Sequence, residues 1–446
     1  MNSRISIPLL LGAILFSMVL SGASSSESAS KSDKEYTIPA DVNPVWKWKD
    51  GYSHEETIYY RRAYTGEAAQ EAGDIGSYAA RNLSEVLPTA IIHRDGPVVM
   101  LECEPMPEIA NVVATTDLGT MTLGEMMKDP RSRFKAIAVV HKGKLVFEEY
   151  IGIRPWENHL WASSTKSIVG LLAHQMAEEG LLDLSAPVST YLPELKETAW
   201  SKVPVEAVLH HRSGLDIGEG SLGKPGHPTT LFYATMTGGA ALPKDASLMD
   251  AVKKATKIAE PGQVFEYASI NTYVLGITLE KITGKPVHDL ITERIWSKVG
   301  MEGDALLALS PSGEPSIHGL FGSRLRDMAR YGMLFTPSWK VVAKKRVVSE
   351  TYLPKVYAAS KPEIFAGNNL GDRMIKGFGD IGMGESYQWD AVFPDGDIYK
   401  SGRTGQCLYI SPETDTVVVW FSSTYQSTLW VHAYAREIVK TVFRKK

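Results

Sequence analysis

Four serine–lysine pairs in the chain have the spacing Ser-x-x-Lys: Ser28/Lys31, Ser132/Lys135, Ser163/Lys166 and Ser221/Lys224. On a helix, residues three apart share one face, so the amine can reach the hydroxyl. A serine hydroxyl is a poor nucleophile until a neighbouring base takes its proton. A lysine serves as that base only when burial or nearby charge lowers its pKa toward neutrality. A helix N-terminus adds the serine's own backbone N–H for a developing oxyanion.

Context separates the four pairs. Ser28 lies in a polar stretch, and Ser132 precedes a strand-like run. Ser221 sits among Gly220, Gly223, Pro225 and Gly226, where no helix would hold the pair together. Ser163 alone opens a long apolar segment, 163–179, with Ile168, Val169, Leu171, Leu172 and Met176 at helical spacing and Gly180 at its end. Apolar residues cover most of that segment's surface, which predicts a buried central helix.

The elements that must position this helix lie at both ends of the chain. Residues 134–140 and 145–151 read as two strands joined by a tight turn at Gly143. Strand character returns at 407–410 and 416–422, followed by a closing helix over 429–443. Between them, 246–258, 272–282 and 325–335 have helical patterns. The expected fold class is therefore α+β: an antiparallel sheet flanked by helices, with an inserted helical lobe at about residues 165–325. The cleft between sheet and lobe is the natural ligand site.

Downstream of the serine helix come Pro261-Gly262-Gln263, then Phe265-Glu266-Tyr267-Ala268-Ser269, then Ser401-Gly402-Arg403-Thr404-Gly405-Gln406 just before a strand. This order of motifs resembles the serine β-lactamase/penicillin-binding superfamily, and within it the class C-like branch that includes esterases and 6-aminohexanoate-dimer hydrolases. Further stretches are similar: 138–146 to the family's first hairpin, 182–193 to the segment after its central helix, 209–215 to its L-x-H-x-S-G-L loop, and 326–332 to its R-D-M-A-R-F-G helix. The resemblance implies a β-lactamase/transpeptidase-like fold over 111–446. It implies Ser163 as nucleophile, Lys166 as its base and Tyr267 as the group that passes the proton to the leaving group. It sets Ser269 where the family has Asn, and Arg403-Thr404-Gly405 where it has Lys-Thr-Gly. The backbone N–H of Gln406 would be the second oxyanion donor. The shorter Ser269 tilts the expectation toward an ester or small amide or peptide substrate. A β-lactamase, a D-Ala-D-Ala carboxypeptidase and a non-catalytic receptor on the same fold remain alternatives. His210, His211 and Glu219, near the expected cleft, read as loop packing residues.

Composition is that of an ordinary globular protein, 44% hydrophobic and 22% charged. With 47 basic and 51 acidic residues, the net charge of -4 argues against nucleic-acid binding. No His/Asp/Glu spacing suits zinc, so neither metal nor cofactor is expected. Arg4, the apolar run 5–20 and Ser21-Gly22-Ala23 have the layout of a secretory signal cut after Ala23. The run is too short for a membrane span, so a secreted or periplasmic protein without stable membrane association is expected. Residues 24–35 read as a disordered tether and 36–110 as an N-terminal extension with no assigned chemistry. Cys103 and Cys407 could be bridged or free.

Overall fold

The computed structural model describes Pro39 and residues 42–444, apart from 71–72, 239–245 and 425–429. The signal and tether expectations, at 1–35, lie outside the described residues. No helix among the described residues is long and apolar enough to cross a membrane.

The central element is a seven-stranded antiparallel sheet. Its order is Lys144–Tyr150, Phe134–His141, Thr416–Ser422, Gln406–Ser411, Ile398–Gly402, Trp389–Val392 and Gly384–Ser386. The expected hairpin at 134–151 is present, with Lys142 and Gly143 both at positive φ (48° and 80°) in its turn. Thr416–Ser422 docks directly beside Phe134–His141, so strands from distant parts of the sequence pair within the sheet.

Strands buried on both faces read as continuous apolar runs, and the residues of Thr416–Ser422 are all buried. Alternate residues enter different cores. Ala136, Ala138, Val417, Val419 and Phe421 pack with the serine helix and with Leu325–Met333. Ile137, Val139, Val418 and Trp420 pack with Tyr434, Ala435 and Ile438 of the closing helix.

The serine helix begins as a 3-10 turn, Ala162–Thr165, and continues as the α-helix Lys166–Glu178. Ten of those thirteen α-helical residues are buried, which bears out the central placement. A Cβ added at Gly170 would lie 2.3 Å from the Tyr387 carbonyl oxygen, so this helix touches backbone where a side chain would not fit. The expected helix 272–282 is longer, Ser269–Thr283, and 246–258 shortens to Leu248–Lys253. Val439–Phe443 forms a π-helical turn that ends the closing helix.

The described residues from 42 to 110 are part of the same compact unit as the rest of the fold. Thr89–Ile92 pairs antiparallel with Ala305–Ala308 in a second sheet that also holds Phe321–Ser323 and His159–Leu160. Arg81, at the end of the helix Asp74–Arg81, is 7% exposed and anchors this wrapping. It donates to the Trp48 and Gly152 carbonyls at 2.9 and 3.1 Å and to both Glu157 carboxylate oxygens at 2.8 and 2.7 Å. Both cysteines are free thiols.

Truncating a buried charge strands its partners, at a cost of roughly 3–5 kcal/mol. Arg81→Met should therefore lower the unfolding free energy by an amount in that range, read as a lower urea midpoint at unchanged m-value. An unchanged midpoint would show that the extension is held by other contacts.

Candidate active site

Ala162 adopts φ +48°, a left-handed conformation unusual for a residue with a Cβ. This bend turns the chain from Trp161, whose N–H is held by the Phe321 carbonyl at 2.8 Å, into the helix that starts at Ser163. Thr165 Oγ1 donates to the Ala162 carbonyl at 2.6 Å, and Ser164 Oγ donates to the Lys400 carbonyl at 3.2 Å. The second bond ties the serine turn to the strand Ile398–Gly402. That strand comes close because residue 402 is glycine: a Cβ there would stand 2.4 Å from the Trp161 carbonyl oxygen.

Lys166 is fully buried, and its Nζ has three oxygen neighbours. They are Ser163 Oγ at 3.0 Å, Ser269 Oγ at 3.0 Å and the His318 carbonyl at 2.6 Å. Burial pulls its pKa down to about 7; Lys400 pushes the same way, while Glu219 and Asp390 oppose it. A neutral amine has two N–H groups and one lone pair. The His318 carbonyl can only accept. Ser269 directs its own proton to Glu219 Oε1 at 2.5 Å, so its oxygen is free to accept from Lys166. The lone pair is left for the remaining partner, the hydroxyl of Ser163.

Tyr267 stands on the other side of the serine. Its hydroxyl is hydrogen-bonded with Ser163 and accepts from Lys400 Nζ at 3.0 Å. Burial drives this phenol's pKa well above its ordinary value, reinforced by Asp390 and Glu219. Lys400 is itself buried and paired with Asp390, and burial holds its amine below the usual lysine value. Asp390 also accepts from Ser401 N at 2.9 Å and Ser401 Oγ at 2.5 Å, fixing the strand above the cavity.

These groups face a cavity of about 310 Å³ bordered by Ser163, Glu219, Tyr267, Asp390, Ser401 and Arg403. The structure thus brings Ser163, Lys166, Tyr267, Ser269 and Arg403 together. Thr404, Gly405 and Gln406 do not border this cavity. The chain turns back at 403–405, with Thr404 and Gly405 at positive φ, and Gln406 lies on the return strand opposite Gly402. Its amide side chain is buried, donating to Thr404 Oγ1 and the Ser422 carbonyl at 3.2 and 3.0 Å.

The residues that the motif reading passed over are Lys400, Ser401 and Gly402. They carry the same cation–hydroxyl–glycine order three positions earlier, and Lys400 donates to the Tyr267 hydroxyl. Glu219 is likewise more than a packing residue: it accepts from Ser269 N at 3.1 Å and from Tyr233 OH at 2.7 Å. His210 and His211 are buried packing groups, with the His211 ring centred 4.9 Å from the Tyr267 ring and tilted 41° to it, and burial lowers both imidazole pKa values.

A serine and a buried lysine one helical turn apart, set between an antiparallel sheet and a group of helices, define the β-lactamase-fold class of serine hydrolases. Residues 123–438 match the Beta-lactamase family, and the chain belongs to it. It is 26% identical to the 6-aminohexanoate-dimer hydrolase of Paenarthrobacter ureafaciens over 353 residues, 78% of this chain and 85% of that one. Among solved structures, a Bacillus anthracis protein provisionally assigned as a 6-aminohexanoate-dimer hydrolase superposes with TM-score 0.67 at 22% identity, covering 83% of this chain and 94% of that one. A class C beta-lactamase superposes with TM-score 0.53 at 16% identity, covering 73% of this chain and 95% of that one. At such identities the two structures speak for the fold alone.

The charges around Lys166 give a pH prediction. Activity should fall as pH drops through about 7, because the amine must be unprotonated to accept the serine proton. Glu219 raises and Lys400 lowers the pKa of this amine. Glu219→Gln should therefore move the acid limb of kcat/KM to lower pH, and Lys400→Gln should move it to higher pH. Limbs that stay in place would separate Lys166 from the titration.

Proposed function

We propose that the chain is an exported serine hydrolase that works through an acyl-serine intermediate on a carboxylic ester or small amide. The observation that carries this reading is the buried Lys166 amine, 3.0 Å from Ser163 Oγ, with its two N–H groups engaged elsewhere. Ser163 Oγ attacks the acyl carbon while its proton passes to Lys166. The oxyanion is received by backbone N–H groups of Ser163 and of the turn after Gly402, each such donor contributing about 3 kcal/mol. Arg403, which directly follows Gly402 and borders the cavity, supplies the second N–H in place of Gln406. Tyr267, whose high pKa keeps it a phenol, protonates the leaving oxygen or nitrogen, and its phenolate then recovers the proton that Lys166 took from Ser163, which leaves the amine neutral again. Water then attacks the acyl-serine with Lys166 again as base, releasing a carboxylic acid.

An ester or open-chain amide is favoured over a β-lactam by the state of Ser269. Its hydroxyl is taken up by Lys166, Glu219 and Tyr233, so nothing at that position clamps a lactam side chain. The relative from Paenarthrobacter ureafaciens, by its name, hydrolyses a 6-aminohexanoate dimer. Export rests on the sequence of residues 1–23, and the mature chain would begin at Ser24.

Steady-state turnover of a p-nitrophenyl ester, nitrocefin and a D-Ala-D-Ala peptide tests the reading. The ester should turn over fastest, and Ser163→Ala should lose activity by about 10³-fold or more. A fluorophosphonate probe should label Ser163. Preferred turnover of nitrocefin, or labelling of another serine, would overturn the assignment.

A further inference from the structure

Ser163 borders a second cavity, of about 90 Å³, on the side away from Tyr267. Two short helices of the N-terminal extension form one of its walls: Ala69 from Gly66–Gln70, and Gly76 and Ala80 from Asp74–Arg81. Leu160, Met236 and Leu320 face them. No carboxylate or lysine borders it, and Arg403 stands where it meets the larger cavity. The polar groups that it does contain are occupied or uncharged. The Tyr233 hydroxyl is bonded to Glu219 and Ser269, and burial keeps the His318 imidazole neutral.

A serine that borders two cavities divides its substrate between them. The leaving group must lie within reach of the proton that Tyr267 donates, and Tyr267 borders only the larger cavity. The acyl part therefore occupies the smaller one. We propose that the N-terminal extension builds an acyl-binding subsite, selecting a short, uncharged aliphatic acyl chain. This inference rests on the acyl-serine reading above. When Ser163 Oγ bonds to the acyl carbon, the bond from that carbon to the leaving oxygen or nitrogen breaks. The serine proton ends on the leaving atom, and the chain stays between Ala80 and Met236 until water releases it as a carboxylate.

The test uses n-alkylboronic acids, in which boron takes the place of the acyl carbon, with affinity measured by calorimetry on the full chain. Each methylene buried should tighten binding about three- to fourfold from methyl to butyl. Ala80→Leu, which fills the wall, should leave methylboronate affinity within about twofold and flatten the gain along the series. Met236→Ala, which enlarges the opposite wall, should move the preference to pentyl or hexyl. A flat series in the wild type, or an unchanged slope in both variants, would overturn the subsite. Ser163→Ala should lose affinity at every length. If it keeps the wild-type affinity and slope, the nucleophile reading falls while the subsite stands. Absence of boronate binding by the wild type would overturn both.

Discussion

Taking the amine of Lys166 out of water disfavours its ammonium form, and the surroundings only partly offset that cost. Two carboxylates, on Glu219 and Asp390, favour the charged form, but Asp390 is already paired with Lys400, whose own charge works in the opposite sense. The balance leaves an amine poised at about 7, where a base for a serine hydroxyl is most useful. The rest of the site is arranged around this balance. The His318 carbonyl and Ser269 take the two N–H groups, and Glu219 orients Ser269 by accepting its proton. The lone pair then has one direction left.

Holding that arrangement requires three segments distant in sequence to meet within one helical turn. The bend at Ala162 stores backbone strain of about 1–3 kcal/mol, retained because both flanks are fixed. Trp161 is bound into the second sheet, and Ser164 is bound to the strand that carries Lys400. Gly402 lets that strand approach the Trp161 carbonyl. The extension before residue 111 joins the same construction, since Thr89–Ile92 extends the sheet that holds Trp161's neighbours His159 and Leu160.

The Ser163/Lys166 pair was legible in the sequence because its chemistry is local: one helix and a spacing of three. The central sheet was legible where strands were apolar on both faces, as in Thr416–Ser422. The strands Gly384–Ser386, Trp389–Val392 and Ile398–Gly402 were not, because Glu385, Asp390 and Lys400 interrupt the apolar pattern, two of them to serve the site. Lys400 was hidden by its own neighbour: Arg403-Thr404-Gly405 and Lys400-Ser401-Gly402 each depart from the expected Lys-Thr-Gly at one position. Only the strand register, which sets Gly402 opposite Gln406, shows which triplet lies on the strand and which forms the turn. Glu219 read only as a packing residue near the cleft and Tyr233 gave no signal, since their role comes from tertiary contact with Ser269.

The state of one amine is the centre of the account, and it can be observed without any substrate. Protein labelled with 13C and 15N lysine, with the Lys166 resonance assigned by its loss in Lys166→Arg, can be titrated by NMR. The Lys166 Cε signal should move with an apparent pKa near 7. A signal that titrates like an exposed lysine, near pH ~10.4, would mean that Ser163 faces an ammonium ion, and the proposed acylation would have no base.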